Sequence, residues 1–274
     1  MSKYPLPVVV SIATLPSRIG QLRPTLDSLL NGELVPDRIL ILRSDYSERE
    51  KSGYVIPDFL VDDNYCQGII ELKVTQDLGP GTKVLGAIEH LEEECFLVLA
   101  DDDVCYHPRF MADIVSAQAA RPDCSFSYYT YRAGGLTLGQ GCDGFSFHSL
   151  NLRGIRDFAE KYVVGTTVLY HDDLWISFFL FAKGIKVKTV PTPVDGELVY
   201  KQLIPNEGLS SLTSGELARD RIVNENLPRL VRQSNLSLSK RLVLDYHRIH
   251  DWILHRFSRI GVRLKRMSKA VEVR

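Results

Sequence analysis

Long hydrophobic runs are missing from this 274-residue chain. No stretch approaches the roughly 18–20 apolar residues that cross a bilayer, so no membrane span is expected. The start of the chain offers one lysine and then only Val8-Val9-Val10-Ser11-Ile12 between prolines. That run is too brief for a secretory signal, and a cytoplasmic location is expected. Cysteine is scarce. Cys66, Cys95, Cys105, Cys124 and Cys142 are an odd number with neither CxxC nor zinc-type Cys/His spacing. They speak against a disulfide framework or a structural zinc site, and for free or buried thiols in a reducing compartment. Internal repeats and low-complexity tracts are lacking too.

Net charge is nearly absent: 33 Lys/Arg stand against 34 Asp/Glu, a formal −1, which gives no case for nucleic-acid binding. The balance conceals an asymmetry. Residues 239–274 carry ten Lys/Arg and three Asp/Glu, a formal +7, and leave −8 on the residues before them. The tail is a different kind of object from the body. With domains of about 100–200 residues the norm, the length fits one large domain plus an appendage, enough to bury a sizeable core.

What is present is a succession of short apolar strands. Val8–Ala13, Arg38–Arg43, Ile69–Val74 and Cys95–Ala100 are compact, largely β-branched or aliphatic runs of strand length. Between them Arg18–Asn31, Thr82–Leu91 and Pro108–Ala120 have helical spacing. Strands of this kind alternating with helices predict an α/β domain with a mostly parallel central sheet. Further on, Ser125–Tyr131 reads as a strand, the five-glycine segment Gly134–Gly144 as a mobile loop, and Val163–Tyr170 as a strand entering His171-Asp172-Asp173. Leu174–Lys183 reads as a helix closed by Gly184, and Ile185–Val190 as a last strand.

Such sheets bind ligands beyond the carboxyl ends of their strands, and three segments there carry chemistry. Asp101-Asp102-Asp103 ends an apolar strand; clustered carboxylates call for a cation, and a hard divalent ion suits them, although a solvated acidic turn has the same composition. Asp77-Leu78-Gly79-Pro80-Gly81-Thr82-Lys83 opens a helix whose amides and Lys83 would suit a phosphate. A plain strand-to-helix turn explains it equally, and the P-loop spacing is missing. Asp172-Asp173 would either cap a helix or supply a general base.

Taken together, Thr14–Arg18 (T-x-P-S-R), Asp77–Lys83 (D-x-G-P-x-x-K), Asp101–Pro108 (D-D-D-x-x-Y-x-P) and Asp172–Ser177 (D-D-x-W-I-S) resemble a GT-A glycosyltransferase of a family 2-like subgroup, over roughly residues 6–200. The resemblance implies a nucleotide-sugar donor (UDP-sugar favoured, GDP- or dTDP-sugar as alternatives), a divalent Mn²⁺ or Mg²⁺ cofactor and inversion at the sugar. Asp103, with Asp101, matches the metal-holding position, and Asp101 and Asp102 the ribose and nucleotide contacts. Thr14, Pro16 and Arg18 match the nucleotide loop, with Asp45 (or Ser44) reading the base and Asp77, Gly79 and Lys83 lying beneath nucleotide and donor sugar. Asp173 matches the base. Asp172 stands where the family has Glu, so both carboxylates are carried as candidates. The glycine-rich loop and Phe145–His148 fall where such enzymes shape the acceptor side; His148 itself is read as a surface residue.

From Leu242 on, Tyr246, Ile249, Ile253, Phe257, Ile260, Leu264 and Met267 recur at steps of three and four between basic residues. A basic amphipathic helix of this kind is expected on an anionic membrane surface, with packing on the body or a homodimer seam as alternatives. The sequence thus predicts a GT-A-like catalytic domain over residues 1–200, a helical extension over 201–238 and the basic tail over 239–274. The expected activity is hexosyl or deoxyhexosyl transfer to a hydroxyl of a glycan or lipid-linked acceptor, in cell-surface polysaccharide or glycan synthesis. The enzyme would sit peripherally on the inner face of the membrane. A sugar nucleotidyltransferase and a non-catalytic sugar-nucleotide or glycan-binding scaffold are the competing readings.

Overall fold

The computed structural model describes residues 4–191, 198–203, 216–234 and 236–244. Its centre is a seven-stranded sheet. Strands β1 (Val8–Ala13), β2 (Arg38–Arg43), β5 (Ile70–Val74) and β6 (Phe96–Ala100) fall where the apolar runs predict them. With β8 (Cys124–Ser127), β11 (Phe145–His148) and β12 (Lys186–Thr189) they take the order β12-β8-β11-β6-β1-β2-β5. Every pairing is parallel except those of β11, which runs against both β6 and β8.

The strands are apolar on both faces because both faces are covered. In β2, Leu40 and Leu42 join one core with β6 residues Leu97 and Leu99, and Ile39 and Ile41 join the other with Val98. The first core is covered by α3 (Thr82–Glu89), α5 (Ile155–Tyr162) and α6 (Asp172–Lys183); the second by α1 (Arg23–Leu30) and α4 (Phe110–Ala120). Short strands β3 (Tyr46–Ser47) and β4 (Ser52–Gly53) pair antiparallel after β2, and a short α2 (Asp63–Cys66) precedes β5. Helix α7 (Glu216–Gln233) adds Val223, Leu227 and Leu230 to the first core, so this part of the extension packs on the body. Among the described residues no helix is long and apolar enough to cross a membrane.

Three expectations are corrected. Val163–Tyr170 is not a strand: Gly165 adopts φ +73°, the Thr166 hydroxyl accepts from Val168 N, and a 3-10 turn follows over Thr167–Tyr170. Local side-chain capping prevails there over the β-branched composition. Gly134–Gly144 is not simply a loop, because β9 (Thr130–Ala133) and β10 (Leu136–Gly139) form a hairpin around Gly134 and Gly135, both at positive φ. Arg18–Asn31 is broken: a 3-10 turn over Ile19–Gln21 precedes α1, which starts at Arg23 with Pro24 in its first turn. Of the tail, positions 245–274 lie outside the described residues. At its root Leu242 of the proposed stripe is exposed, whereas Leu244, off that stripe, is buried.

Candidate active site

The chain runs from β1 to β2 and β5 on one side, then returns to place β6 on the other side of β1. The crevice outside the carboxyl ends of β1 and β6 is therefore a topological switch point, the usual ligand site of an open α/β sheet. Two of the predicted segments meet there. Thr14 Oγ1, just past β1, donates to Asp102 Oδ2 at 2.8 Å, and Arg18 Nη1 donates to Asp102 Oδ1 and Asp103 Oδ2, both at 2.9 Å. Thr25 Oγ1 adds a bond to the Asp102 carbonyl at 3.3 Å. Burial pushes the carboxyl pKa of Asp102 and of Asp103 up, and the neighbouring aspartates push in the same direction, against the pull of Arg18. The cluster is short of positive charge.

Asp101 takes a different partner, the Lys83 ammonium that α3 delivers from beneath. The Lys83 carbonyl accepts from Ser11 Oγ of β1 at 2.6 Å, which fixes the root of that side chain to the central strand. Burial opposes the Lys83 charge, but Asp101, Asp172 and Asp173 around it hold its pKa above the ordinary lysine value. The backbone N–H of Asp101 donates to the hydroxyl of Tyr106, on β7 (Val104–Tyr106), at 2.7 Å. That ring stacks on Phe110 with centroids 4.0 Å apart.

The second pair of carboxylates arrives on the first turn of α6. Asp173 Oδ1 accepts the Gly141 N–H at 2.8 Å. One turn further along α6, Ser177 Oγ accepts the Gly139 N–H at 3.1 Å, so α6 grips the segment after β10 at two points. A Cβ at Gly141 would stand 3.2 Å from Lys83 Nζ, 3.6 Å from Asp173 Oδ1 and 4.0 Å from Asp172 Oδ2, which places these groups together around one small residue. Asp172, the first residue of α6, puts a second carboxylate at the positive end of the helix. Burial raises the pKa of both acids; Lys83 counteracts this at Asp172, while the Asp172 charge pushes Asp173 up further.

Not every predicted residue joins the cluster. Asp45 is 85% exposed and pairs with Arg43 at 3.3 Å, while Ser44 is buried and donates to the Tyr46 carbonyl. Asp77 spends both oxygens on backbone N–H groups, those of Gly79 and Glu48. Gly79 and Gly81 serve close packing: a Cβ would lie 3.4 Å from the Tyr170 ring and 3.0 Å from the Trp175 ring. Pro16 lies half-buried in the loop whose next residue, Ser17, is held by Glu50. His148 pairs with Phe96 at the opposite edge of the sheet, away from the crevice. Sequence reasoning gave no role to Thr25, Tyr106 or Gly141. Tyr106 was visible inside D-D-D-x-x-Y-x-P, and Gly141 only as one glycine among several.

Among the described residues no three His, Cys, Asp or Glu side chains converge as a closed metal cage. The donor set fits an ion of another kind. Asp101 and Asp103 offer hard carboxylate oxygens at one strand end, and Mg²⁺-type ions are commonly held by one or two carboxylates and completed by substrate phosphates.

No model of a known protein family matches the chain, and no curated protein matches it. Solved structures do. A mannosyltransferase from Pyrobaculum calidifontis, PcManGT in complex with GDP-Man and Mn²⁺, is similar over 90% of this chain and 70% of its own, with a TM-score of 0.59 at 14% identity. The fold is GT-A-like. In a GT-A-like sheet of this order, Asp101–Asp103 follow the strand beside β1, and Asp172-Asp173 face them across Lys83 and Gly141.

Proposed function

We propose that this chain is a glycosyltransferase that moves a sugar from a nucleoside-diphosphate donor to an acceptor hydroxyl. The observation that carries the reading is the joining of two carboxylate sets, Asp101–Asp103 and Asp172-Asp173, through Lys83 and Gly141 at the switch point. One set suits a donor diphosphate and its cation; the other suits an acceptor proton. The GDP-Man and Mn²⁺ of the structural neighbour support a nucleotide-sugar donor and a divalent ion.

Asp103, with Asp101, would hold the cation, which supplies positive charge to the departing diphosphate. Arg18 and Lys83 add positive charge on the same side. The Thr14–Asp102 bond ties the loop after β1 to the end of β6. Asp173 is the base: Oδ1 is committed to Gly141, so Oδ2 takes the acceptor proton, while the Asp172 charge sits at the positive end of α6. With Asp173 taking its proton, the acceptor oxygen attacks the anomeric carbon from the face opposite the leaving diphosphate, one displacement that inverts the sugar. Hydroxyls of a glycan or lipid-linked glycan are the acceptors.

A ligand that binds only the folded chain raises its apparent stability, by about 2.7 kcal/mol at a hundred times its Kd. Thermal unfolding with UDP, GDP or dTDP should therefore rise in the presence of Mn²⁺, and Asp103→Ala should abolish the metal-dependent part while leaving the fold intact. No shift with any of the three would remove the donor site.

A further inference from the structure

Arg18 stands on two of the carboxylates in the crevice. Its side chain is only 14% exposed, and Nη1 bridges Asp102 and Asp103 with two 2.9 Å contacts. The two acids differ in what else holds them. Both are buried, but the Asp102 carboxylate also accepts from Thr14 Oγ1, which makes it the firmer anchor for the guanidinium. The Asp103 carboxylate bonds, among the described residues, to Arg18 alone, through Oδ2, while its backbone carbonyl accepts from Leu203 N–H. Arg18 follows a loop and precedes a 3-10 turn, so its side chain is not locked into a strand.

We propose that Arg18 is a displaceable counter-cation: it competes with the divalent ion for Asp103, and the donor diphosphate resolves the competition by drawing the guanidinium onto its own phosphates. A guanidinium fork matches carboxylate and phosphate alike, so the transfer exchanges one charge-assisted pairing for another. Two cations on one carboxylate repel each other, so metal enters readily once Arg18 has turned away. Metal and nucleotide then bind with positive coupling, which is reciprocal by linkage. The inference rests on the glycosyltransferase reading for its metal and its diphosphate.

The test is titration of the full-length chain with Mn²⁺, followed by electron paramagnetic resonance of the free ion, with and without UDP or GDP. Wild type should bind Mn²⁺ alone weakly, and at least about tenfold more tightly with nucleotide. R18Q should bind Mn²⁺ alone at least about tenfold more tightly than wild type, and nucleotide less tightly. An R18Q chain that binds Mn²⁺ alone no better than wild type overturns the competition, even if both take the metal with nucleotide. If neither chain takes Mn²⁺ with any nucleotide, the donor-site reading fails and the competition with it. Should R18Q not fold, the wild-type chain still decides. Its Arg18 guanidinium ¹⁵N resonance, assigned with R18K, should move as Mg²⁺ alone is added, and a resonance unmoved at high Mg²⁺ overturns the proposal.

Discussion

Asp172 and Asp173 are adjacent in the chain but differently engaged. Asp172 opens α6, and Asp173 accepts the Gly141 N–H through one oxygen, which leaves the other for the proposed proton transfer. Asp173→Asn preserves shape and the Gly141 bond but removes the basic oxygen, so kcat should fall by about 10²–10⁴ with donor binding retained. Asp172→Asn removes a negative charge from the start of α6 and should act mainly on stability, by roughly 0.3–1 kcal/mol. Steady-state kinetics and thermal unfolding of both variants check this. A catalytic collapse in Asp172→Asn beside an active Asp173→Asn would reverse the roles.

At the scale of elements, the Arg38–Glu71 pair fastens β2 to β5 with two hydrogen bonds of 2.6 and 3.1 Å. The guanidinium, joined by Lys73, pulls the Glu71 pKa down to about 2. A carboxyl depressed in the folded chain stabilises it above the unfolded pKa of about 4.3, and that contribution disappears as pH falls toward 2. Glu71→Gln should therefore lose about 1 kcal/mol at pH 7 in urea unfolding, discounted for partial exposure, and should converge with wild type between pH 4.5 and 2. A gap that is constant down to pH 2 would contradict this. The strands β1, β2 and β6 were legible in the sequence because burial on both faces leaves an unbroken apolar run. Val163–Tyr170 was not, since one glycine and one threonine cap turn a β-branched stretch into a 3-10 turn. The site shows the same division. Strand-end and helix-start carboxylates can be read from spacing, but the grip of Gly141 on Asp173 and of Tyr106 on Asp101 exists only once the sheet is assembled.

For the whole molecule, the basic tail remains a proposal about location: it holds the enzyme on an anionic membrane surface near its acceptor. Each Lys or Arg near such a surface contributes about 1 kcal/mol, weakened by salt. Full-length protein should float with anionic liposomes at low salt and detach at high salt. A chain lacking residues 239–274 should stay unbound yet turn over a small acceptor, because every proposed donor and base residue precedes position 200. A full-length chain that ignores these liposomes, while the truncated one unfolds or loses dimerisation, would make the tail a packing surface. Sugar transfer at the β1–β6 crevice can be followed through the anomeric proton by NMR as purified protein, Mn²⁺, a sugar nucleotide and a glycan acceptor react. Nucleoside diphosphate should be released in step with a new glycosidic bond of inverted configuration, and both should be lost in Asp103→Ala and Asp173→Asn. Retention of configuration, sugar 1-phosphate as the product, or binding of sugar nucleotides without turnover would contradict it.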